Sequence, residues 1–348
     1  MSRLLNDRQS AGLTARLTAV RRYGDFTLAY NAAVHPGLEY FSLGRNLEDG
    51  FLAYRTVENY TFALGDPVAA ADRAPECLRA FVAEKGRPIF VQATDPTART
   101  LHDLGYFLTD LGPDPRLDLQ EYSLSGKPKE WLRYAANWCA RRGYVVEEAP
   151  DESGLSPEEI EAVSAAWRET LPAGTREVIF MNRPLIATPE PDVRRFVLRD
   201  REGVVQNYVF FDPLYRDGRP FGYVTCIKRR RPTAPSLGEA AIMKYVIEAF
   251  QEEGVEQLRL GLCPLAGGAD GRWPKNPYRE NWLLRIAFQL GFKAGWINGG
   301  LYALANHAAY KRRFRGEEDR TYYASMRYSN TRPILALTRM MGVLGNGE

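Results

Sequence analysis

RPFGYVTCIKRRRPTAPSLGEAAIMKYVIEAFQEEGVEQLRLGLCPL, residues 219–265, is the stretch on which the fold turns. An aromatic and β-branched run ends in four consecutive cations, Lys228, Arg229, Arg230 and Arg231, and a loop broken by Pro232 and Pro235 follows. Ile242, Tyr245, Val246, Ala249 and Phe250 then recur at the spacing of one helical face, and the helix stops at Gly254 before a second strand, EQLRLGLCPL. Strand, basic loop, helix, strand predicts an α/β unit.

Upstream, VRRFVLRD, VVQNYVFFDPLY and GRPFGYVTCI are separated by the turn-like RDREG and YRDGRP, which predicts an antiparallel meander. Before it, Ser156, Pro157 and Glu159 form a capping box that starts a helix, and SGKPKEWLRYAANWCARRGYVVEEAP reads as a basic amphipathic helix leading to a strand. The first half has helical patterning over about thirty residues, then EYFSLG and a hairpin of GFLAYRTV and NYTFALG. A helix (PECLRAFVAEKG), a strand (PIFVQAT) and a helix broken at Gly105 that feeds a strand follow, with the proline-rich PDPRLDL as the connection to the second half. Downstream come a helix, NWLLRIAFQLGF, and a strand, KAGWINGGLYAL. PIFVQATDP with TLHDLGYFLTDLG echoes QLRLGLCPL with RIAFQLGFKAGWI, so two tandem units are expected: residues 1–125, residues 126–330 and a tail, 331–348.

The chain has 348 residues, 45% hydrophobic and 26% charged, the composition of a folded, water-soluble protein. No uncharged apolar run approaches the roughly 20 residues of a membrane-spanning helix, and MSRLLNDRQSAG lacks a signal-peptide core, so a cytoplasmic location is expected. Cys77, Cys139, Cys226 and Cys263 are far apart, as are His35, His102 and His307, which argues against a zinc cage or a disulfide framework. No metal or cofactor is expected. A net charge of +3 is too small to mark a nucleic-acid binder, so any basic partner site must be local.

The order of elements resembles the catalytic core of the GNAT acyltransferase fold, and the expected fold class is α/β: two tandem GNAT-like domains, each a mixed, mostly antiparallel sheet flanked by helices. Particular residues narrow this. CIKRRRPTAP (226–235), then a helix, then GVEQLRLGLCPLAGG, is similar to D-L-M-R-x-R-P-x-A-P, a helix, G-(Y/V)-x-W-x-(N/S)-L-G and A-P-L-S-G of the phosphatidylglycerol lysyltransferase family, in its soluble C-terminal synthase domain. YALANHAAYKRRF (302–314) resembles that family's Y-N-F-x-G-L-x-x-F-K-x-K-F ending; GKPKEWLRYAANWCARRGYVV and GDPV (65–68) match further segments. The resemblance implies an aminoacyltransferase that takes an amino acid from aminoacyl-tRNA to a lipid or small-molecule acceptor. Arg229 and Lys311 keep family positions, whereas Cys226 stands where the family has an acid, and Asn306 and Ala308 replace a Gly and an Arg.

The cations Lys228 to Arg231 read either as a solvated turn or as an anion-binding loop beside a helix N-terminus, whose free N–H groups and dipole favour phosphate. Coenzyme A users of this fold present a glycine-rich loop; RRRPTAPSLG has two prolines without N–H and one late glycine, Gly238, which argues against the alternative coenzyme A thioester donor. Arg133, Arg141 and Arg142 interleave with Tyr134 and Trp138, and Lys311, Arg312, Arg313 and Arg315 adjoin Tyr310 and Phe314, so cations would meet phosphate while rings stack on bases, unless the rings are core residues. Arg229 and Lys311 are the candidates for stabilising charge that develops during ester transfer. Glu239, opening the helix, either positions or deprotonates the acceptor or simply matches the dipole. Asp319 and Tyr322 are candidates for orienting the aminoacyl group. His307 reads as structural and Cys226 as a buried thiol. The tail reads either as a docked terminus or as a segment resting on a lipid surface, a peripheral membrane contact. The rivals are an acyl-coenzyme A transferase and a non-catalytic binding protein on the same fold.

Overall fold

The alternation in residues 194–230 becomes three antiparallel strands in the computed structural model, which describes residues 2–44, 46–171, 177, 179–267, 275–294, 303–327 and 332–342. The first half runs α1 (Ser2–Tyr23), α2 (Ala29–Val34), β1 (Glu39–Phe41), β2 (Leu52–Val57), β3 (Tyr60–Leu64), α3 (Ala74–Lys85), β4 (Ile89–Ala93), α4 (Asp95–Asp103) and β5 (Phe107–Asp118). The second runs α5 (Glu130–Arg141), β6 (Val145–Glu148), α6 (Pro157–Arg168), β7 (Arg194–Arg199), β8 (Val205–Arg216), β9 (Arg219–Arg230), α7 (Gly238–Glu252) and β10 (Gln257–Arg259). After these come α8 (Trp282–Lys293), α9 (Leu304–Arg312), β11 (Glu317–Ser325) and α10 (Arg332–Met340). The strand read at KAGWINGGLYAL falls mostly outside the described residues.

All these strands form one mixed sheet, in the order β1-β2-β3-β4-β11-β5-β10-β9-β8-β7-β6, with helices on both faces. β3 and β4 are parallel, as are β9 and β10, and the other neighbours are antiparallel. In the middle of the sheet β5 pairs with β10, and β11 lies between β4 and β5. The β2–β3 hairpin turns on Glu58 and Asn59, both at positive φ, the backbone that a tight two-residue turn requires. The capping box at Ser156 is formed from both sides.

Two expectations are corrected. PDPRLDL is no connection: β5 runs straight through it. Prolines are tolerated in this central strand because the N side of Pro113 and Pro115 faces a segment that donates to their carbonyls, through Cys263 and Leu260, and asks for no donor in return. The approach is close, since a Cβ on Gly112 would lie 2.1 Å from the Cys263 carbonyl oxygen. The second correction concerns the basic cluster, because β9 continues to Arg230 and only Arg231 enters the turn.

On one face, α7 buries Ile242, Met243, Val246, Ile247 and Phe250 against α5 and strands β7 to β10, while Tyr245, read as inward, is 41% exposed. α3 and α4 pack the same face over the other half. α1, α2, α6, α8 and α10 cover the opposite face through a separate apolar cluster. The tail is docked over 332–341, where Ala336, Leu337, Met340 and Met341 are buried. Among the described residues no helix is long and apolar enough to cross a membrane.

Candidate active site

The sheet opens between β9 and β10. Their parallel pairing covers only Gly222–Val224 against Gln257–Arg259, yet β9 continues to Arg230. Thr225 makes the next tie, its hydroxyl donating to the Leu260 carbonyl at 3.0 Å. Beyond it, the Lys311 ammonium donates to the carbonyls of Gly261 and Leu262, both at 2.9 Å. Side chains thus satisfy the Leu260, Gly261 and Leu262 carbonyls where β9 no longer pairs with this segment: a hydroxyl for the first and an ammonium for the other two.

Lys311 therefore stands in the opening, and charged groups gather around it. Lys228 on β9 pairs with Glu239 in the first turn of α7 at 3.0 Å. Burial pushes the Lys311 ammonium down to about 8, only partly offset by Cys263, Asp114 and Glu239. Burial would raise Glu239, but Lys228, His307 and Lys311 together hold it below the usual carboxylate value. Burial, Lys228 and Lys311 push His307 down to about 4, so it is neutral near pH 7. Burial and the Glu239 carboxylate raise the Tyr310 phenol far above its ordinary value. Asp114 is 3% exposed, accepts from the Thr27 hydroxyl and lies 3.6 Å from Arg259.

Arg229 points the other way. Successive residues of a strand face opposite sides, so Lys228 reaches α7 while Arg229 reaches α6, lying over the Trp167 ring at 4.6 Å and pairing with Glu177 at 2.6 Å. Its Nη1 is buried without a hydrogen bond among the described residues. Near it on β9, the Cys226 thiol meets Arg183 Nη2 at 3.8 Å and donates to the Phe210 carbonyl. Arg183 holds Asp212 through two nitrogens at 2.8–3.1 Å and Glu190 at 2.9 Å, all three nearly buried. Burial and Asp212 push the Cys226 thiol far up, which is the wrong direction for a nucleophile.

The remaining sequence candidates disperse. Arg230 is exposed. Arg231 is a strut whose Nε donates to the Val205 carbonyl at 2.8 Å, and Arg133 donates to the Leu124 carbonyl. Arg313 lies over Trp131 at 4.0 Å. Asp319 on β11 pairs with Arg259 at 2.9 Å and Arg116 at 3.3 Å. Tyr322 is fully buried with Phe90 and Tyr106 in the α3–α4 layer. Lys311, Glu239 and Lys228 are brought together; Arg229 is held on the far face. Sequence reading missed Glu177, Thr225, Asp114 and the Arg183–Asp212 pair. Only Asp114 carried a signal, its place between two prolines, and that signal was read as a loop.

Several N–H groups of the turn before α7 are missing or already committed. Pro232 and Pro235 have no N–H, and those of Arg231, Ala234 and Gly238 are spent on Gln206, Arg231 and Pro235 carbonyls. A separate groove of about 320 Å³ on α5 is lined by Tyr134, Asn137, Trp138, Arg141 and Arg142, with the Arg142 guanidinium stacked 3.8 Å from Trp138.

Known proteins share this architecture. L-PGS from Bacillus licheniformis superposes with a TM-score of 0.75 at 19% identity, covering 96% of this chain and 97% of that one. A DUF2156 C-terminal domain from Agrobacterium fabrum gives 0.73 at 20% identity, covering 98% and 99%. A protein named phosphatidylglycerol lysyltransferase from Bacillus subtilis (strain 168) is 24% identical over 315 residues, 87% of this chain and 34% of the relative. One of the same name from Staphylococcus xylosus is 30% identical over 125 residues, 34% of this chain and 15% of the relative. The chain thus spans at most about a third of the length of these curated relatives. The sequence pattern of the family described as phosphatidylglycerol lysyltransferase, C-terminal, matches residues 18–325, and the chain belongs to that family.

Proposed function

We propose that this chain transfers an aminoacyl group from aminoacyl-tRNA to a hydroxyl of phosphatidylglycerol or a similar anionic lipid. The observation that carries the reading is Lys311, fixed by two carbonyls in the opening between β9 and β10 beside the Lys228–Glu239 pair. In the reaction the acceptor oxygen attacks the ester carbonyl carbon, the bond to the ribose oxygen breaks, and the acceptor's proton ends on that ribose oxygen. Lys311, with its ammonium lowered to about 8, exists near neutral pH in both charged and neutral forms, which suits it to stabilise the developing oxyanion and to relay that proton. Glu239, tied to Lys228, orients the acceptor rather than acting as the base, because its carboxyl is held too acidic. Arg230, Arg313 and the α5 groove supply cations and rings for the tRNA acceptor end, whereas Arg229, buried against Trp167 and Glu177, takes no part in it. The committed turn N–H groups favour this donor over coenzyme A.

The reading includes two tandem units, 1–125 and 126–330, that exchange their closing strands; the matching run of antiparallel, parallel and antiparallel pairings in each half supports it. The test is incubation with labelled lysyl-tRNA and phosphatidylglycerol vesicles, beside parallel reactions with other charged tRNAs and with acetyl-coenzyme A. Labelled lipid, lost in Lys311→Ala, is the expected result. Product from the thioester alone, or undiminished product from Lys311→Ala, would sink the proposal.

A further inference from the structure

Helix α8 carries apolar residues on both sides. Leu284 and Phe288 point inward and are buried, yet Trp282, Leu283, Ile286 and Leu290 are 55%, 42%, 44% and 64% exposed. Ala287 and Lys293 are exposed as well. At spacings of three and four residues, positions 282, 286, 290 and 293 form one stripe, apolar until it ends in a lysine. A surface helix of a water-soluble domain normally turns polar residues outward, and four large exposed apolar side chains in twelve residues mark an interaction face.

We propose that this face of α8 lies on an anionic lipid bilayer. The helix has no acidic residue and two cations, Arg285 and Lys293, so its charge complements an anionic surface. Glu280, just before the helix, is tied to Arg285 at 2.9 Å, so the uncompensated charge of the exposed face is that of Lys293. Tryptophan at one end and lysine at the other are the residues that settle at the boundary between headgroup and acyl chain. Phe292 packs with Ala308, Cys263 and Ala266, and Ala308 belongs to α9, which also carries Lys311. A bilayer held by α8 is thereby fixed one helix away from the opening in the sheet. The preference for a bilayer over a protein partner rests in part on the lipid acceptor proposed above; the test reads binding alone, so either idea can fail without the other.

The experiment is co-sedimentation of the whole chain with vesicles of phosphatidylcholine alone and of phosphatidylcholine with phosphatidylglycerol, at low and high salt. The bound fraction should rise with phosphatidylglycerol and fall with salt. Ile286→Glu/Leu290→Glu should lower the partition coefficient at least tenfold while changing the melting temperature little, since the two side chains are 44% and 64% exposed. Lys293→Glu should weaken binding to the anionic vesicles only. Equal binding by the double variant, no binding by the parent chain, or a lipid-free dimer that the double variant abolishes, which would assign the face to a second copy, would each overturn the proposal.

Discussion

Replacing Asp110 by Asn should stabilise the protein. Asp110 lies on β5 directly opposite Tyr322 and is 4% exposed, and neither carboxylate oxygen has a hydrogen-bond partner among the described residues. Burial pushes its carboxyl from 3.8 up to about 6, Glu280 adding to the rise while Arg320 and Arg285 counter it from a distance. The folded value exceeds the unfolded one, so the native state binds protons more tightly between those limits. Stability therefore falls as pH rises through that window, and the cost is complete above pH 6–7. At about 1.4 kcal/mol per unit the buried charge costs about 3 kcal/mol at pH 8. The amide carries no charge, so Asp110→Asn should recover most of this at pH 8, about half at pH 5, and almost none below pH 4. In urea, with a slope of ~3 kcal/mol per M, the pH 8 gain moves the midpoint by about 1 M. A variant less stable than the parent at pH 8, or one whose gain does not shrink in acid, would show that Arg320 or Arg285 satisfies this carboxylate and that its burial is not the dominant effect.

The ammonium of Lys311 should titrate early: trinitrophenylation followed by peptide mapping should show its rate inflecting near pH 8 while surface lysines inflect above pH 10, and a common inflection would remove the basis for a proton-relaying role. Arg183 pairs with both buried Asp212 and buried Glu190, so Arg183→Met leaves two carboxylates uncompensated and should cost about 3–5 kcal/mol in denaturant unfolding, whereas adding Asp212→Leu and Glu190→Gln should recover much of it; no loss in the single variant, or no recovery in the triple one, would refute the account. His35 donates from Nδ1 to the Pro36 carbonyl and accepts the Phe180 N–H at Nε2, so it must remain neutral, and burial lowers its pKa accordingly. The unfolded state then binds the extra proton, and the melting temperature should fall as pH drops below about 6.5; His35→Gln should flatten that dependence, and an unchanged slope would exclude His35 as its source.

Most of the elements were legible because their signals are local. Alternation of apolar residues in 194–230, the Ser156 capping box and the turn residues around Gly218 depend on neighbours in sequence, and each became the structure expected. PDPRLDL was misread for an equally physical reason. Two prolines normally forbid a central strand, and only a partner that donates to their carbonyls without needing a donor in return permits one; that partner lies some 145 residues away, as in Leu260 to Pro115. The insertion of β11 between β4 and β5 leaves no local trace either, since it pairs segments far apart in the sequence.

The basic cluster shows how the site itself was half visible. Lys228, Arg229, Arg230 and Arg231 looked like one anion-binding unit because a loop would let all four converge. A strand forbids that: its period of two sends Lys228 to Glu239 and Arg229 to Glu177, on opposite faces of the sheet. Composition announced a dense positive charge, and the backbone divided it. What gathers around Lys311 comes instead from β9, α7, α9 and β5, and depends on the sheet opening after Arg259. That opening follows from the short reach of β10, which stops at Arg259 while β9 runs on to Arg230 and so leaves the Gly261 and Leu262 carbonyls for an ammonium to hold.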